Sequence, residues 1–391
     1  MQYLKIAIVH LLRLILKIFY IFPINDKRII FVSYKGKQHC CNPKYIFEYI
    51  YYKYGKNYEY VWCLNNELDF PNEYKNVKII KYLKLKYLYY IITSKYIINN
   101  LFIEAIFPTR KGQIIVNTWH GCGAYKKIGA SVPAFNKERK YLEIVQNIRA
   151  KENNHYIVSA YDKYKIYMSE DWKVSEDKYL KTGLPRNDII FSGNTFKEKV
   201  AKYFDIAYEI KIILYAPTFR GHHYNSQPLN ISFSIDELLL NLKKKFNDEY
   251  VFLYRGHLYS SNINIPDGVI VASDYPDMQE LLCATDILIT DYSSSMWDFS
   301  LVYKPCFIYA PDINKYEDDD RGFYTPIYEW PFPIAETNEQ LMNNIMQFDK
   351  EKYDADVKAH HDALGSYEKG TATKQFCELI FGNNIVFNQN D

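Results

Sequence analysis

Residues 286–303 read DILITDYSSSMWDFSLVY. The apolar run at 286–290 is too short for a helix and predicts a buried strand. Residues 296–303 have helical spacing, so a strand, a hydroxyl-rich turn and a helix follow in direct succession. That succession is the repeating unit of an α/β protein, and ligands sit just past the carboxyl ends of such strands. The turn Thr290-Asp291-Tyr292-Ser293-Ser294-Ser295 therefore lies where a ligand belongs. Its hydroxyls and the amides that open the helix suit a phosphate. Serine caps without a ligand would give the same letters.

The alternation extends in both directions. Strands are predicted at 28–33, 58–64, 77–80, 96–99, 112–118 and 155–159, with helices at 43–54 and 83–94. A second set follows: strands at 210–216, 251–255, 269–272, 286–290 and 306–310, and helices at 234–246 and 274–284, the latter capped by Asp274. Two successive α/β sets of similar size predict two facing Rossmann-like domains, the GT-B layout, with an N-terminal amphipathic helix in front. The expected units are residues 1–24, the helix; 25–190, the first Rossmann-like domain; and 191–391, the second, whose last helix crosses back.

Composition narrows the classes. The 391 residues are 48% hydrophobic and 24% charged, which fits a folded globular chain. Seven cysteines without a CxxC pair argue against a disulfide framework or a zinc ribbon and fit a reducing compartment. The net charge of +2 hides an asymmetry: residues 1–130 hold 20 Lys and Arg against 7 Asp and Glu, and the remaining 261 hold 28 against 39. The basic portion predicts an anionic partner, or simple clustering of lysines.

Residues 1–22, MQYLKIAIVHLLRLILKIFYIF, place Gln2, Lys5, His10, Arg13 and Lys17 on one arc of a helix and apolar side chains elsewhere. A spanning helix would carry Arg13 and Lys17 into hydrocarbon, and a signal peptide would want its charges first and a small-residue cleavage site last. A helix packed on the body of the protein is the plain alternative. The pattern favours an interfacial helix with its basic stripe toward lipid phosphates, a peripheral attachment on the cytoplasmic face of the membrane.

Other strand ends carry chemistry. Trp119-His120-Gly121 follows a strand, and an imidazole there can act as a base near neutral pH; Lys126 and Lys127 add charge. A merely hydrogen-bonded loop histidine reads the same way. Arg186-Asn187-Asp188 closes a Gly-Leu-Pro turn, and Thr218 and Arg220 end the first strand of the second set, as nucleotide contacts or a helix cap. Arg255 and His257, two apart at a strand end, are expected to point the same way and clamp an anion. Arg321 stands beside Gly322. GxxxxGK[ST] and GxGxxG are missing, which removes the usual support for P-loop and dinucleotide sites. Asp318-Asp319-Asp320 reads as a solvated acidic run, and His222-His223 and His360-His361 lack further ligands at metal spacing, so no metal is expected. No nucleic-acid module is recognisable, and nucleic acid is not an expected partner.

In order along nearly the whole chain, these motifs resemble the CDP-glycerol glycerophosphotransferase family of teichoic-acid and capsule polymerases and primases. The resemblance rests on Asn42-Pro43-Lys44, Tyr96–Asn100, Thr118-Trp119-His120-Gly121 with Lys126-Lys127, and Gly183–Asp188. It continues through Tyr215–Arg220, Thr290–Ser294 with Asp298-Phe299 and Lys304-Pro305, and Arg321–Tyr324. Cys122-Gly123 stand where the family has Thr-Pro, and Leu258 replaces the proline after His257. The resemblance implies a GT-B fold and transfer of a polyol phosphate, typically glycerol phosphate, from a CDP-activated donor to a hydroxyl, with release of CMP. It implies an acceptor-binding domain at 25–190 and a CDP-donor-binding domain at 191–391, a lipid-linked or polymeric anionic acceptor, and no cofactor. His120 and His257 are the expected catalytic residues. Arg255, Ser293, Ser294 and Arg321 are expected on the donor phosphates, with Thr218, Arg220 and Asp291 as weaker donor contacts. Trp119, Gly121, Lys126, Lys127, Arg186, Asn187 and Asp188 are expected toward the acceptor. A nucleotide-sugar glycosyltransferase of the same layout is the alternative, and an idle membrane adaptor a further one.

Overall fold

A computed structural model describes residues 2–121, 125–132, 139–152, 154–218, 220–222, 225–227, 231–256, 265–317 and 322–382; at 130, 139, 164, 194, 220–222 and 225–227 it describes the backbone alone. The first sheet contains β1 (Asn25–Val32), β2 (Glu59–Cys63), β3 (Val77–Ile80), β4 (Ser94–Asn99), β5 (Ile114–Asn117), β6 (His155–Ser159) and β7 (Tyr179–Lys181). Its order is β3-β2-β1-β4-β5-β6-β7, and every pairing is parallel.

The second half starts with β8 (Lys211–Tyr215) and a small hairpin of β9 (Arg220–His222) and β10 (Asn225–Gln227). Then come β11 (Tyr250–Tyr254), β12 (Ile270–Val271), β13 (Ile287–Thr290), β14 (Cys306–Tyr309) and β15 (Ile334–Ala335). Its main sheet runs β12-β11-β8-β13-β14-β15, again parallel.

Parallel strands covered on both faces need apolar side chains on both, hence unbroken runs such as Ile29-Ile30-Phe31, all fully buried. Phe31 stacks on Trp62 at 5.5 Å and meets Phe47 edge-on at 5.4 Å on one face of the first sheet. Ile30, Val61, Ile97, Tyr87 and Phe107 form the core on the other face.

Three local expectations change. The helix expected from 274 starts at Met278, because Asp277, not Asp274, caps it by accepting from the Gln279 amide at 2.9 Å. The helix after the serines covers only Ser295–Ser300, and Tyr303 with φ 57° turns the chain away soon after. In the N-terminal helix, Gln2–Leu16, the basic stripe does not turn outward as a unit. Arg13 donates to the carbonyls of Ala105 and Phe107, both at 2.7 Å, and pairs with Glu152. Its guanidinium serves the backbone of the body, so Val9 and Leu16 are buried with it, while Leu4, Ile8, Leu11, Leu14 and Ile15 face outward. No helix among the described residues is long and apolar enough to cross a membrane.

At the other end, the helix Ala372–Phe381 lies against the first half, the Phe381 ring 4.7 Å from Tyr96 and 5.5 Å from Tyr58.

Candidate active site

His120 follows β5. Its Nδ1 lies 2.9 Å from the carbonyl of Asn100, which follows β4. A carbonyl only accepts, so Nδ1 carries the proton and Nε2 of the neutral ring carries the lone pair, as a base requires. Trp119 packs against the imidazole at 4.2 Å and Tyr34 meets it edge-on at 5.7 Å.

The backbone beneath the imidazole is held in an unusual shape. Trp119 has φ 54°, a left-handed conformation that a bulky residue keeps only when its surroundings impose it, at about 1–3 kcal/mol. Asn42 Nδ2 donates to the carbonyls of Thr118 and Trp119, each at 3.0 Å, and Arg186 Nη1 to that of His120 at 2.6 Å. The Trp119 amide donates to Asn117 Oδ1 at 2.9 Å. Three consecutive carbonyls and one amide are thus fixed by side chains.

Arg186 also reaches the second half, where its Nη2 meets Asp298 Oδ2 at 2.8 Å. Both side chains are buried, and Gln279 Nε2 donates to the same carboxylate oxygen at 2.9 Å. Asp298 lies in the short helix after the serine turn, so one guanidinium joins the His120 loop to the element that carries Ser293 and Ser294. A Cβ placed on Gly121 would stand 3.5 Å from Ser294 Oγ. The imidazole loop and the serine turn are therefore direct neighbours across the boundary between the halves. Further along, Lys44 pairs with Asp277 at 2.6 Å and Glu280 at 3.2 Å across the same boundary.

The turn itself is organised by Asp291. Its Oδ1 accepts from the Thr218 amide at 2.8 Å and from the Tyr292 amide, tying the end of β13 to the end of β8. Ser295 donates to Ser293 Oγ at 2.9 Å. Arg255 follows β11, and its Nη1 donates to the carbonyls of Ala272 (2.9 Å) and Tyr275 (2.8 Å). Burial lowers its affinity for the proton, and Asp277 pulls the other way.

The Lys126–Lys127 backbone pairs with the chain around Gly322: the Lys127 amide donates to the Gly322 carbonyl at 3.1 Å and the Tyr324 amide to that of Tyr125 at 2.7 Å. Tyr125 stacks on Trp297 with centroids 3.6 Å apart. Arg186, Asn187 and Asp188, expected toward the acceptor, turn into the protein instead. Asn187 Nδ2 donates to Glu368 at 3.0 Å, and the Asp188 carboxylate caps the Ala372–Phe381 helix, accepting from the amides of Ala372 and Thr373 at 2.8 Å each. A carboxylate that serves as a helix cap gives a phosphate nothing to bind. His257 and Arg321 lie outside the described residues, as does the side chain of Arg220.

Motifs alone missed several residues here. Asn42 and Asp298 stood out only as landmarks, and Gln279 and Glu368 not at all; their partners lie far away in sequence. Burial raises the Glu368 carboxyl to about 8, and the amide of Leu184 and Asn187 act against it.

Two parallel sheets whose strand-end loops meet, the loop after β5 against the turn after β13, define a GT-B-like α/β enzyme. A model of the CDP-glycerol:poly(glycerophosphate) glycerophosphotransferase family matches residues 14–382, and the chain belongs to this family. It is 31% identical over 388 residues to the teichoic acid poly(glycerol phosphate) polymerase of Bacillus spizizenii, with 96% of this chain and 97% of that one covered. The teichoic acid glycerol-phosphate transferase of Staphylococcus aureus is 29% identical, with 91% and 93% covered. The poly(glycerol phosphate) polymerase of Bacillus subtilis is 28% identical, but this chain spans 49% of its length. A solved structure of the wall teichoic acid polymerase TagF, a histidine-to-asparagine variant soaked with CDPG, superposes with a TM-score of 0.78 at 27% identity, covering 91% of this chain and 88% of that one.

Proposed function

We propose that this chain transfers glycerol phosphate from CDP-glycerol to a hydroxyl of a membrane-linked acceptor and releases CMP, in teichoic-acid synthesis. The observation that carries the reading is the approach of the His120 loop to Ser294 of the other half. His120 Nε2 takes the proton of the acceptor hydroxyl. The oxygen attacks the phosphorus that bears the glycerol, the bond to the CMP oxygen breaks, and CMP leaves with the electron pair. A base so placed contributes about 10²–10⁴-fold. Ser293, Ser294 and Arg255 face the donor diphosphate, where fixed donors neutralise charge as it moves onto CMP. His257 and Arg321 belong to the same donor set. Thr218 and Asp291 shape the turn, and Trp119, Gly121, Lys126 and Lys127 line the acceptor approach. Arg186, Asn187 and Asp188 act as positioning residues.

The N-terminal helix is part of the proposal. With Arg13 turned inward, its outward apolar arc lies in the membrane interface at the cytoplasmic face, beside the lipid-linked acceptor. Incubation with CDP-glycerol, CDP-ribitol and UDP-sugars tests the chemistry. CMP release with a CDP-polyol supports it, and turnover of UDP-sugars alone selects the glycosyltransferase reading. Inertness toward every donor selects the adaptor.

A further inference from the structure

A cleft of about 520 Å³ beside the N-terminal helix has no role in that reaction. His10, Arg13, Leu14, Lys17 and Tyr20 line one side, and Pro108 and Thr109 the other. Its polar chemistry is basic. Arg13 is held by Glu152 and two carbonyls, and Glu152 is shared with His155 at 3.1 Å. Arg110 stands near the cleft, its guanidinium 4.8 Å over the Tyr20 ring and donating to the Phe22 carbonyl at 2.7 Å. Among the described residues no carboxylate is paired with Lys17 or His10, and both are exposed.

The rim of the cleft is apolar. Leu14 and Ile18 are each 66% exposed, and Leu4, Leu11, Ile15 and Ile21 are exposed with them. On a projection of the helix Gln2–Leu16, Leu4, Leu11, Leu14 and Ile15 form an arc opposite the docked Val9 and Leu16, with His10 at one edge of it and Lys17 opening the 3-10 turn Lys17–Ile21 that follows. An apolar face with basic groups along its border is the arrangement that places ammonium and imidazole at headgroup depth while the apolar residues enter the acyl region.

We propose that this cleft is a headgroup slot for an anionic phospholipid, with Lys17 and His10 on the phosphate and Leu14 against the chains. The proposal rests on the membrane attachment argued above and adds the lipid class and the residues that select it. Inorganic phosphate shares the charge but gains nothing from the apolar rim.

The test is flotation of the full chain with vesicles of phosphatidylcholine alone and vesicles in which phosphatidylglycerol replaces half of it. The wild type is expected to prefer the anionic vesicles. His10→Gln/Lys17→Gln is expected to bind them about fivefold less tightly, with binding to phosphatidylcholine unchanged. A double variant that keeps the full preference overturns the slot. Leu11→Gln/Ile15→Gln is expected to weaken binding to both vesicle types, and its failure to do so rejects the membrane attachment instead. Saturable binding of inorganic phosphate that the double variant loses, without any lipid preference in the wild type, makes this a free-anion site and overturns the lipid assignment.

Discussion

Arg186 and Asp298 form a buried ion pair between the two halves of the molecule, Nη2 to Oδ2 at 2.8 Å, and the same guanidinium holds the His120 carbonyl at 2.6 Å. The imidazole loop and the serine turn are thereby positioned by one side chain. In the proposed reaction the base belongs to one half and the phosphate donors to the other, so their relative placement depends on this pair.

Breaking the pair from one side leaves a buried charge without its counterion, so Arg186→Ala is expected to destabilise the protein by about 3–5 kcal/mol in chemical denaturation. Replacing both partners with apolar residues, Arg186→Met/Asp298→Leu, is expected to restore much of that stability, because the stranded charge is gone. Turnover should not return with it, since the His120 carbonyl still lacks its anchor.

Asn42 makes a separable prediction. Its amide holds the Thr118 and Trp119 carbonyls and with them the left-handed turn under the imidazole. Asn42→Ala releases that turn, and a base displaced by about 1 Å costs on the order of 10²-fold in rate. Steady-state kinetics are expected to show the loss in kcat, with the KM for CDP-glycerol nearly unchanged, because the proposed donor site belongs to the opposite half.

Acid stability follows from two buried histidines, His39 and His361, and a half-buried one, His360. Burial pushes His360 and His361 down to about 4 and His39 down to about 3, against 6.5 for the unfolded chain. Neighbouring His361 adds to the effect at His360, and Lys44 at His39. The unfolded chain binds protons that the native chain refuses, so this stability is complete above pH 6.5 and drains away as pH falls toward 4 and 3. Each histidine is expected to contribute about 1 kcal/mol or more of the loss. Denaturation midpoints from pH 7 to 4 should fall steadily, and His39→Phe, within its aromatic cage of Phe47, Trp62, Phe70 and Tyr74, should flatten the slope.

Glu368 acts with the opposite sign. Its carboxyl is raised to about 8 from 4.5, so its contribution is full below pH 4.5 and is lost as pH rises through 8. Glu368→Gln keeps the shape without the ionisation. It is expected to equal the wild type near pH 5 and to exceed it above pH 8, by about 1–3 kcal/mol. Equal stability of the two proteins across that range would mean that the carboxyl ionises normally.

The strands were legible because a parallel sheet covered on both faces leaves continuous apolar runs: residues 28–33 announce β1, and 77–80 coincide with β3. Short strands such as β7, three residues long, leave no such trace. Helix starts misled where two caps compete, as Asp274 and Asp277 do, because the choice is made by Arg255 pinning the Ala272 and Tyr275 carbonyls. Residues of the proposed site sit in recognisable letters after strands, as His120, Ser293 and Ser294 do. Those that hold them in place, Gln279 and Glu368 among them, do so through partners distant in the chain, which periodicity cannot register. The inward turn of Asp188 is of the same kind: only the crossing helix Ala372–Phe381 gives its carboxylate a purpose.

The most direct test is CMP release from CDP-glycerol by the wild type and by His120→Ala and Ser294→Ala, with folding checked by circular dichroism. The wild type is predicted to release CMP in proportion to glycerol phosphate added to the acceptor. His120→Ala is predicted to lose at least 10²-fold in kcat, and Ser294→Ala to lose less and to raise the KM for the donor. A folded His120→Ala protein that turns over at the wild-type rate would contradict the account.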